Sequence, residues 1–117
     1  MNSDCIFCKI IKGEAPADFI YKDEDVVVFH NIRPSAPVHV LVVPVAHIES
    51  INELEEKHSA IIAKMVLKAR DIARQLGIAD SGYKLVTNVG WGGGQRIFHL
   101  HIHLIGGWSK AGEPEIL

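Results

Sequence analysis

The chain reads as an α+β domain in which a five-stranded, mostly antiparallel sheet carries one long helix, with a short helix at the N-terminus. Three stretches predict this. Phe98 to Ile105 alternates histidine with aliphatic residues, and a period of two belongs to a strand. Val38 to Val43 is rich in β-branched residues and stops at Pro44, as a strand does. Between them Ile61, Ile62, Met65, Ala69, Ile72, Ala73 and Leu76 recur at helical spacing.

Taken in order, Cys5 to Ile11 is a short apolar segment stopped by Gly13 and Pro16, with Ile6, Phe7, Ile10 and Ile11 at helical spacing. It predicts a two-turn helix that needs packing to be stable. Phe19 to Lys22 and Val26 to Phe29 predict two strands joined by the polar turn Lys22-Asp23-Glu24-Asp25. Asn31 to Pro37 is a loop punctuated by Pro34 and Pro37, and Val38 to Val43 is the third strand, with His39 inside it. Asn52, with Glu55 three residues on, predicts a capping box opening the long helix, which Gly77 closes. His58 falls near the edge of the apolar stripe and takes no role. Tyr83 to Val89 is the fourth strand, Phe98 to Ile105 the fifth, and Trp108 to Leu117 a short tail.

At 117 residues the chain has room for one ordinary core, and residues 1–117 read as a single domain without repeats or low-complexity tracts. Hydrophobic residues make up 48% and charged ones 22%, a globular composition rather than a disordered one. A net charge of −2 leaves no basic patch that would suit nucleic acid. No run approaches the ~18 apolar residues of a membrane span, and the first residues do not resemble a secretion signal, so a cytoplasmic location is expected. The two cysteines, Cys5 and Cys8, are spaced C-x-x-C, which without a secretion signal favours metal or redox chemistry over a structural disulfide.

The chemistry concentrates in the fifth strand, where His99, His101 and His103 would share one face and Leu100, Ile102 and Leu104 the other. Asn88 to Arg96, rich in glycine, feeds this strand, and a flexible backbone beside a row of imidazoles suggests a phosphate site. Three readings compete. The face could merely tolerate histidine. Two of the three histidines could join His39 or His47 around catalytic zinc. Or the chemistry could be metal-free, with one imidazole attacking phosphorus, a neighbour supplying a proton, and backbone amides holding the oxyanion. Imidazole suits the last because its pKa lies near neutrality.

His99-Leu100-His101-Ile102-His103-Leu104-Ile105 resembles the His-φ-His-φ-His-φ-φ signature of the histidine triad (HIT) superfamily. Further segments resemble its nucleotide-binding branch, the purine nucleoside phosphoramidases: Ile6-Phe7-x-Lys9-Ile10-Ile11, Phe29-His30-x-Ile32-x-Pro34, Ala36-Pro37-x-His39, Pro44-x-x-His47-Ile48 and Gly93-Gly94-Gln95. The resemblance implies a homodimer whose two sheets join into one. It implies that His101 is the nucleophile, forming a nucleotidyl-histidine that water hydrolyses, with its other ring nitrogen held by the backbone carbonyl of His99. His103 and His39 would sit on the phosphate side, and Asn88 with the amides near Gly94 and Arg96 would clamp the phosphate, with Gln95 in the same loop. Ile6, Phe7, Ile10, Phe29, Ile32 and Leu41 would enclose the base, although apolar residues at such spacing usually read as core.

Two positions depart from the family pattern. Asn31 stands where an aspartate usually binds the ribose hydroxyls, and offers an amide instead. Arg96 replaces a small hydroxyl residue, and its guanidinium could fold over the phosphates or point to water. For Cys5 and Cys8 the plain reading is two buried thiols. The resemblance implies a structural zinc site completed by His47 and His99, as in some bacterial members, and thiol–disulfide exchange lacks its usual βαβ surroundings.

The expected activity is therefore hydrolysis of purine nucleoside 5′-phosphoramidates or related AMP conjugates, with no cofactor needed for catalysis and a purine nucleotide as ligand. The rivals are a dinucleoside polyphosphate hydrolase, a zinc-dependent hydrolase, and a nucleotide-binding or interaction module without turnover.

Overall fold

The computed structural model describes residues 4–108. Its five strands are β1 (Phe19–Lys22), β2 (Val26–His30), β3 (Val38–Pro44), β4 (Tyr83–Val86) and β5 (Ile102–Gly106), in the order β1-β2-β3-β5-β4 with every neighbouring pair antiparallel. Helix α1 (Ile6–Lys12) covers one face and α2 (Ser59–Gln75) the other. This explains why β2 and β3 are apolar almost throughout: alternate residues feed two cores. Val26, Val28, Val40, Val42 and Leu104 pack with Met65, Ala69, Ile72 and Ala73 of α2. Val27, Phe29, Leu41 and Val43 pack with Phe7, Cys8 and Ile10 of α1. Each aliphatic side chain buried in this way contributes about 2 kcal/mol.

Helix α2 starts later than expected. Asn52 is not its N-cap: the chain first makes two short 3₁₀ turns, Ile51–Glu53 and Glu56–His58. Ser50 caps the first, its Oγ accepting from Asn52 N–H (3.1 Å) and donating to Glu53 (2.8 Å). In the second, His58 Nδ1 accepts the Glu55 N–H (2.9 Å), so His58 has a capping role after all. The residue types announced a cap, but which of several Ser, Asn and Glu residues is used depends on where the helix meets the sheet. At the other end Gly77, at φ +76°, closes α2 in the left-handed conformation that glycine adopts without steric cost.

The fifth strand is shorter than the alternation suggests. β5 begins only at Ile102, opposite Val42, and Phe98 to His101 are not strand. Continued further, the ladder would meet Pro44, which has no N–H to donate. The Pro44 carbonyl is instead taken by the His99 side chain, and Leu100 N–H donates to Ile48 O beyond the end of β3. β4 likewise stops at Val86, three residues before the expected Val89. The tail expectation beyond Trp108 falls outside the described residues.

Candidate active site

β3 and β5 place His39, Leu41 and His103 on the α1 side of the sheet, with Leu41 directly opposite His103. His99 and His101 also lie on this side, since the Phe7 ring meets both edge-on at 5.8 and 5.1 Å. The three imidazoles do not converge on one point, however. His101 packs against His103, ring centroids 4.9 Å apart, while His99 turns away to His47 and the cysteines.

The hydrogen bonds fix which ring nitrogens carry protons. His101 Nδ1 lies 2.7 Å from the His99 carbonyl, so it must donate, and Nε2 is left with an unprotonated lone pair. A backbone N–H can only donate. Ser35 N–H reaches His39 Nδ1 at 2.9 Å, which puts the His39 proton on Nε2. His39 Nε2–H then donates to His103 Nδ1 (2.9 Å), and His103 keeps its proton on Nε2. The result is an unprotonated nitrogen on His101 beside an N–H donor on His103, set by two backbone groups. Ser35 escaped the sequence reading because its contribution is a main-chain amide, for which its residue type is no signal.

Burial keeps these rings neutral. It lowers the pKa of His103 to about 4, aided by His101 and His39 nearby, and that of His99 to about 4, against the hydrogen bond to Pro44. His101 and His39 are also lowered by burial. The unfolded chain therefore binds protons at His99 and His103 between pH 6.5 and about 4 while the metal-free native state does not. Stability is present above pH 6.5 and is lost as the pH falls towards 4, by an expected amount on the order of 2 kcal/mol for each ring. Urea unfolding of chelator-treated protein checks this, and His103→Gln should flatten the slope. An unchanged slope would show that His103 is not held neutral by burial.

His101 and His103 line a cavity of about 480 Å³, within the roughly 300–1,000 Å³ of small-molecule sites. Ile6, Phe7, Ile10, Phe29, Ile32 and Leu41 all line it, as do Asn31, Asn88, Gly94 and Arg96. Phe7, Ile10, Phe29 and Leu41 thus serve both as core and as cavity wall, whereas Ile6 and Ile32 are exposed and only line the cavity. Residues 15–17 and Ile97 also line it and carried no signal beyond being loop or strand-end residues; His30, which stands in one of the family-like segments, lines it too. His39 stands behind His103 and does not line the cavity.

Gln95 departs from expectation. It is 1% exposed and does not line the cavity. Its amide ties the glycine loop together, accepting from Gly90 N–H (2.9 Å) and donating to Glu49 O (2.7 Å) and Ile97 O (3.0 Å). Asn88 braces the same loop by donating to Gly93 O (2.8 Å). Gly94, at φ +92°, lies so close that a Cβ would touch Asn88 Nδ2 at 3.4 Å. Arg96 does not reach into the cavity freely, because Nη1 donates to Trp91 O (3.0 Å) and Gln95 O (3.1 Å).

Asn31 meets His39 awkwardly. Its Oδ1 is committed to Arg33 N–H (2.8 Å), so Nδ2 faces His39 Nε2 at 3.3 Å, donor against donor. Asn31→Asp replaces that donor with an oxygen able to accept from His39. We expect the His39 titration, followed by NMR, to move to higher pH in this variant; an unmoved titration would show that Asn31 does not face the ring in solution.

Cys5, Cys8, His47 and His99 offer ligand atoms all within 4.8 Å of one another. Cys5 Sγ to His99 Nδ1 is 3.3 Å, Cys8 Sγ to His47 Nδ1 is 3.3 Å, and Cys8 Sγ to His99 Nδ1 is 3.6 Å. Tetrahedral zinc with ordinary bond lengths needs S···N separations of about 3.6 Å, so the set fits. The His99 ring is oriented for it: Nε2–H donates to Pro44 O (2.8 Å), which leaves Nδ1 as a lone pair facing the sulfurs.

A family model described as "Scavenger mRNA decapping enzyme C-term binding" matches residues 4–113. The purine nucleoside phosphoramidase of Escherichia coli K12 is 41% identical over 107 residues, covering 92% of this chain and 90% of its own length. Protein HitA of Neisseria gonorrhoeae is 45% identical over 103 residues, covering 88% and 95%. Among solved structures, a HIT family hydrolase from Clostridium thermocellum superposes with a TM-score of 0.93 at 44% identity over 100% of both chains. Another, from Legionella pneumophila Philadelphia 1, gives 0.89 at 42% identity, covering 91% of this chain and 95% of that one.

Proposed function

This chain belongs to the histidine triad family, and we propose that it is a nucleotidyl hydrolase cleaving purine nucleoside 5′-phosphoramidates or related AMP conjugates through His101. The observation that carries this reading is the 2.7 Å bond from His101 Nδ1–H to the His99 carbonyl, which holds the opposite nitrogen unprotonated in a cavity lined largely by apolar residues.

In the first step His101 Nε2 forms a bond to the α-phosphorus. The P–N bond breaks, its electron pair goes to nitrogen, and the nitrogen leaves as an amine after taking one proton from solvent. His103 Nε2–H donates to a phosphoryl oxygen, and the backbone amides near Gly94 take another. Water then attacks the nucleotidyl-histidine, releasing AMP and one proton and restoring neutral His101. A neutral nucleophile is needed throughout, and burial supplies it. The base lies against Phe7, Ile10, Phe29 and Leu41, and a cavity of this size suits one nucleoside rather than two.

Zinc at Cys5, Cys8, His47 and His99 would tie the start of α1 to the segment before β5, a structural duty, since all four positions are taken by protein ligands. No helix among the described residues is long and apolar enough to cross a membrane. A homodimer is supported by the edge position of β4, with Leu85 exposed on it, and by exposed Val66 and Leu67 on α2. The test is brief mixing with adenosine 5′-phosphoramidate, an acid quench and intact-mass measurement. An adenylyl adduct is expected; no adduct and no AMP would overturn the reading in favour of a binding module.

A further inference from the structure

Arg96 is the one permanently charged side chain among the described residues that line the cavity; no Lys, Asp or Glu joins it there. Its Nη1 is spent on two carbonyls, but Nε and Nη2 make no hydrogen bond among the described residues. The guanidinium carbon lies 3.7 Å from the centre of the Trp91 ring, a stacked cation–π contact. Trp91 itself is 67% exposed and does not line the cavity, so the stack draws the charge outward to the rim. Arg96 also borders a second, smaller hollow of about 260 Å³, shared along Ile6 and Ile97. A guanidinium immobilised at a rim, with a fork of donors unspent, is built to receive an oxyanion in two-point contact. The scissile phosphorus belongs deeper, beside His101 and His103. On the proposed reaction, the leaving group is the part of the substrate that would face the rim.

We propose that Arg96, positioned by Trp91, determines leaving-group specificity by binding a second anion, a carboxylate or a phosphate, carried on the amine side of the conjugate. This rests on the cleavage of AMP conjugates set out above. Trp91 is the positioning residue: it limits the rotamers of Arg96, so that less freedom is lost when the anion binds.

The test uses two matched pairs of conjugates with the same P–N linkage: AMP joined to glycine or to glycinamide, and AMP joined to 2-aminoethyl phosphate or to ethanolamine. Wild type should prefer the anionic member by about tenfold in kcat/KM, the scale of one charge-assisted contact at an exposed site. Preference in the first pair names a carboxylate as the ligand, preference in the second a phosphate, and either supports the proposal. Arg96→Gln, which keeps a donor for the loop carbonyls without the charge, should bring the ratio to about one. Arg96→Lys and Trp91→Ala should give intermediate ratios, and raising the salt should shrink the wild-type ratio.

A ratio near one in wild type, or a ratio unchanged in Arg96→Gln, overturns the proposal. So does an equal loss on all four conjugates, which would place Arg96 on the scissile phosphoryl group. Binding affinities for the same four compounds separate the two readings. Affinity ratios that follow Arg96 without turnover would support the anion site and overturn the hydrolase; no binding of any conjugate would overturn both.

Discussion

Replacing His101 with alanine is expected to lower turnover of adenosine 5′-phosphoramidate by at least about a thousandfold while AMP affinity stays within about threefold of wild type. The two quantities draw on different parts of the site. On the proposed mechanism turnover would need the Nε2 lone pair, which exists because the His99 carbonyl holds the proton on Nδ1. Affinity, on the same proposal, would draw on the apolar wall of Phe7, Ile10, Phe29 and Leu41 and on donors that the substitution leaves in place. Alanine does remove a partner of the Phe7 ring, 5.1 Å from His101, and opens space beside it. Stability should therefore fall by about 2–3 kcal/mol, enough to require a melting curve alongside the kinetics. Turnover equal to wild type would sink the nucleophile assignment. Loss of AMP binding in a variant that still melts cooperatively would mean that His101 holds the cavity open rather than attacking phosphorus.

The second large effect concerns the metal group. Stripping metal with a chelator and reloading zinc should change the melting temperature by roughly 15 °C, because ligand at a thousandfold its Kd stabilises by about 4 kcal/mol in a chain of this size. Cys8→Ser should abolish the difference, since Cys8 Sγ contacts both His47 and His99. Turnover, by contrast, should persist in the stripped protein to within about tenfold. None of the four side chains lines the cavity, and the bond that sets the His101 tautomer comes from the His99 main chain rather than its ring. Turnover that vanished on chelation and returned with zinc would favour the zinc-dependent hydrolase. Failure to bind zinc stoichiometrically would leave the four side chains as a set of thiol–imidazole hydrogen bonds.

Much of this was legible in the sequence, because it depends on patterns local to the chain. The period of α2, the β-branched run of β3 and the alternation from Ile102 onward name their elements, since helix and strand periods act over a few residues. The apolar wall and the C-x-x-C pair were visible too, with the family resemblance turning the first towards a ligand and joining the second to His47 and His99. Local patterns could not say where β5 begins. That depends on Pro44, a residue 55 positions from the His99 ring that binds its carbonyl. Nor could they orient Gln95, whose amide turns inward to meet Glu49, 46 residues away.

The tertiary structure alone decided the proton positions on His39 and His103 and the direction of the one permanently charged side chain among the described residues lining the cavity. His39 is assigned by Ser35 N–H and His103 by His39, while the hold of the His99 carbonyl on His101 was already implied by the family resemblance; Arg96 is stacked on Trp91. Residue types and spacing name the groups that can give or accept a proton. Only their placement in three dimensions settles which atom does, because a hydrogen bond depends on distance and direction between atoms that the fold, not the chain order, brings together.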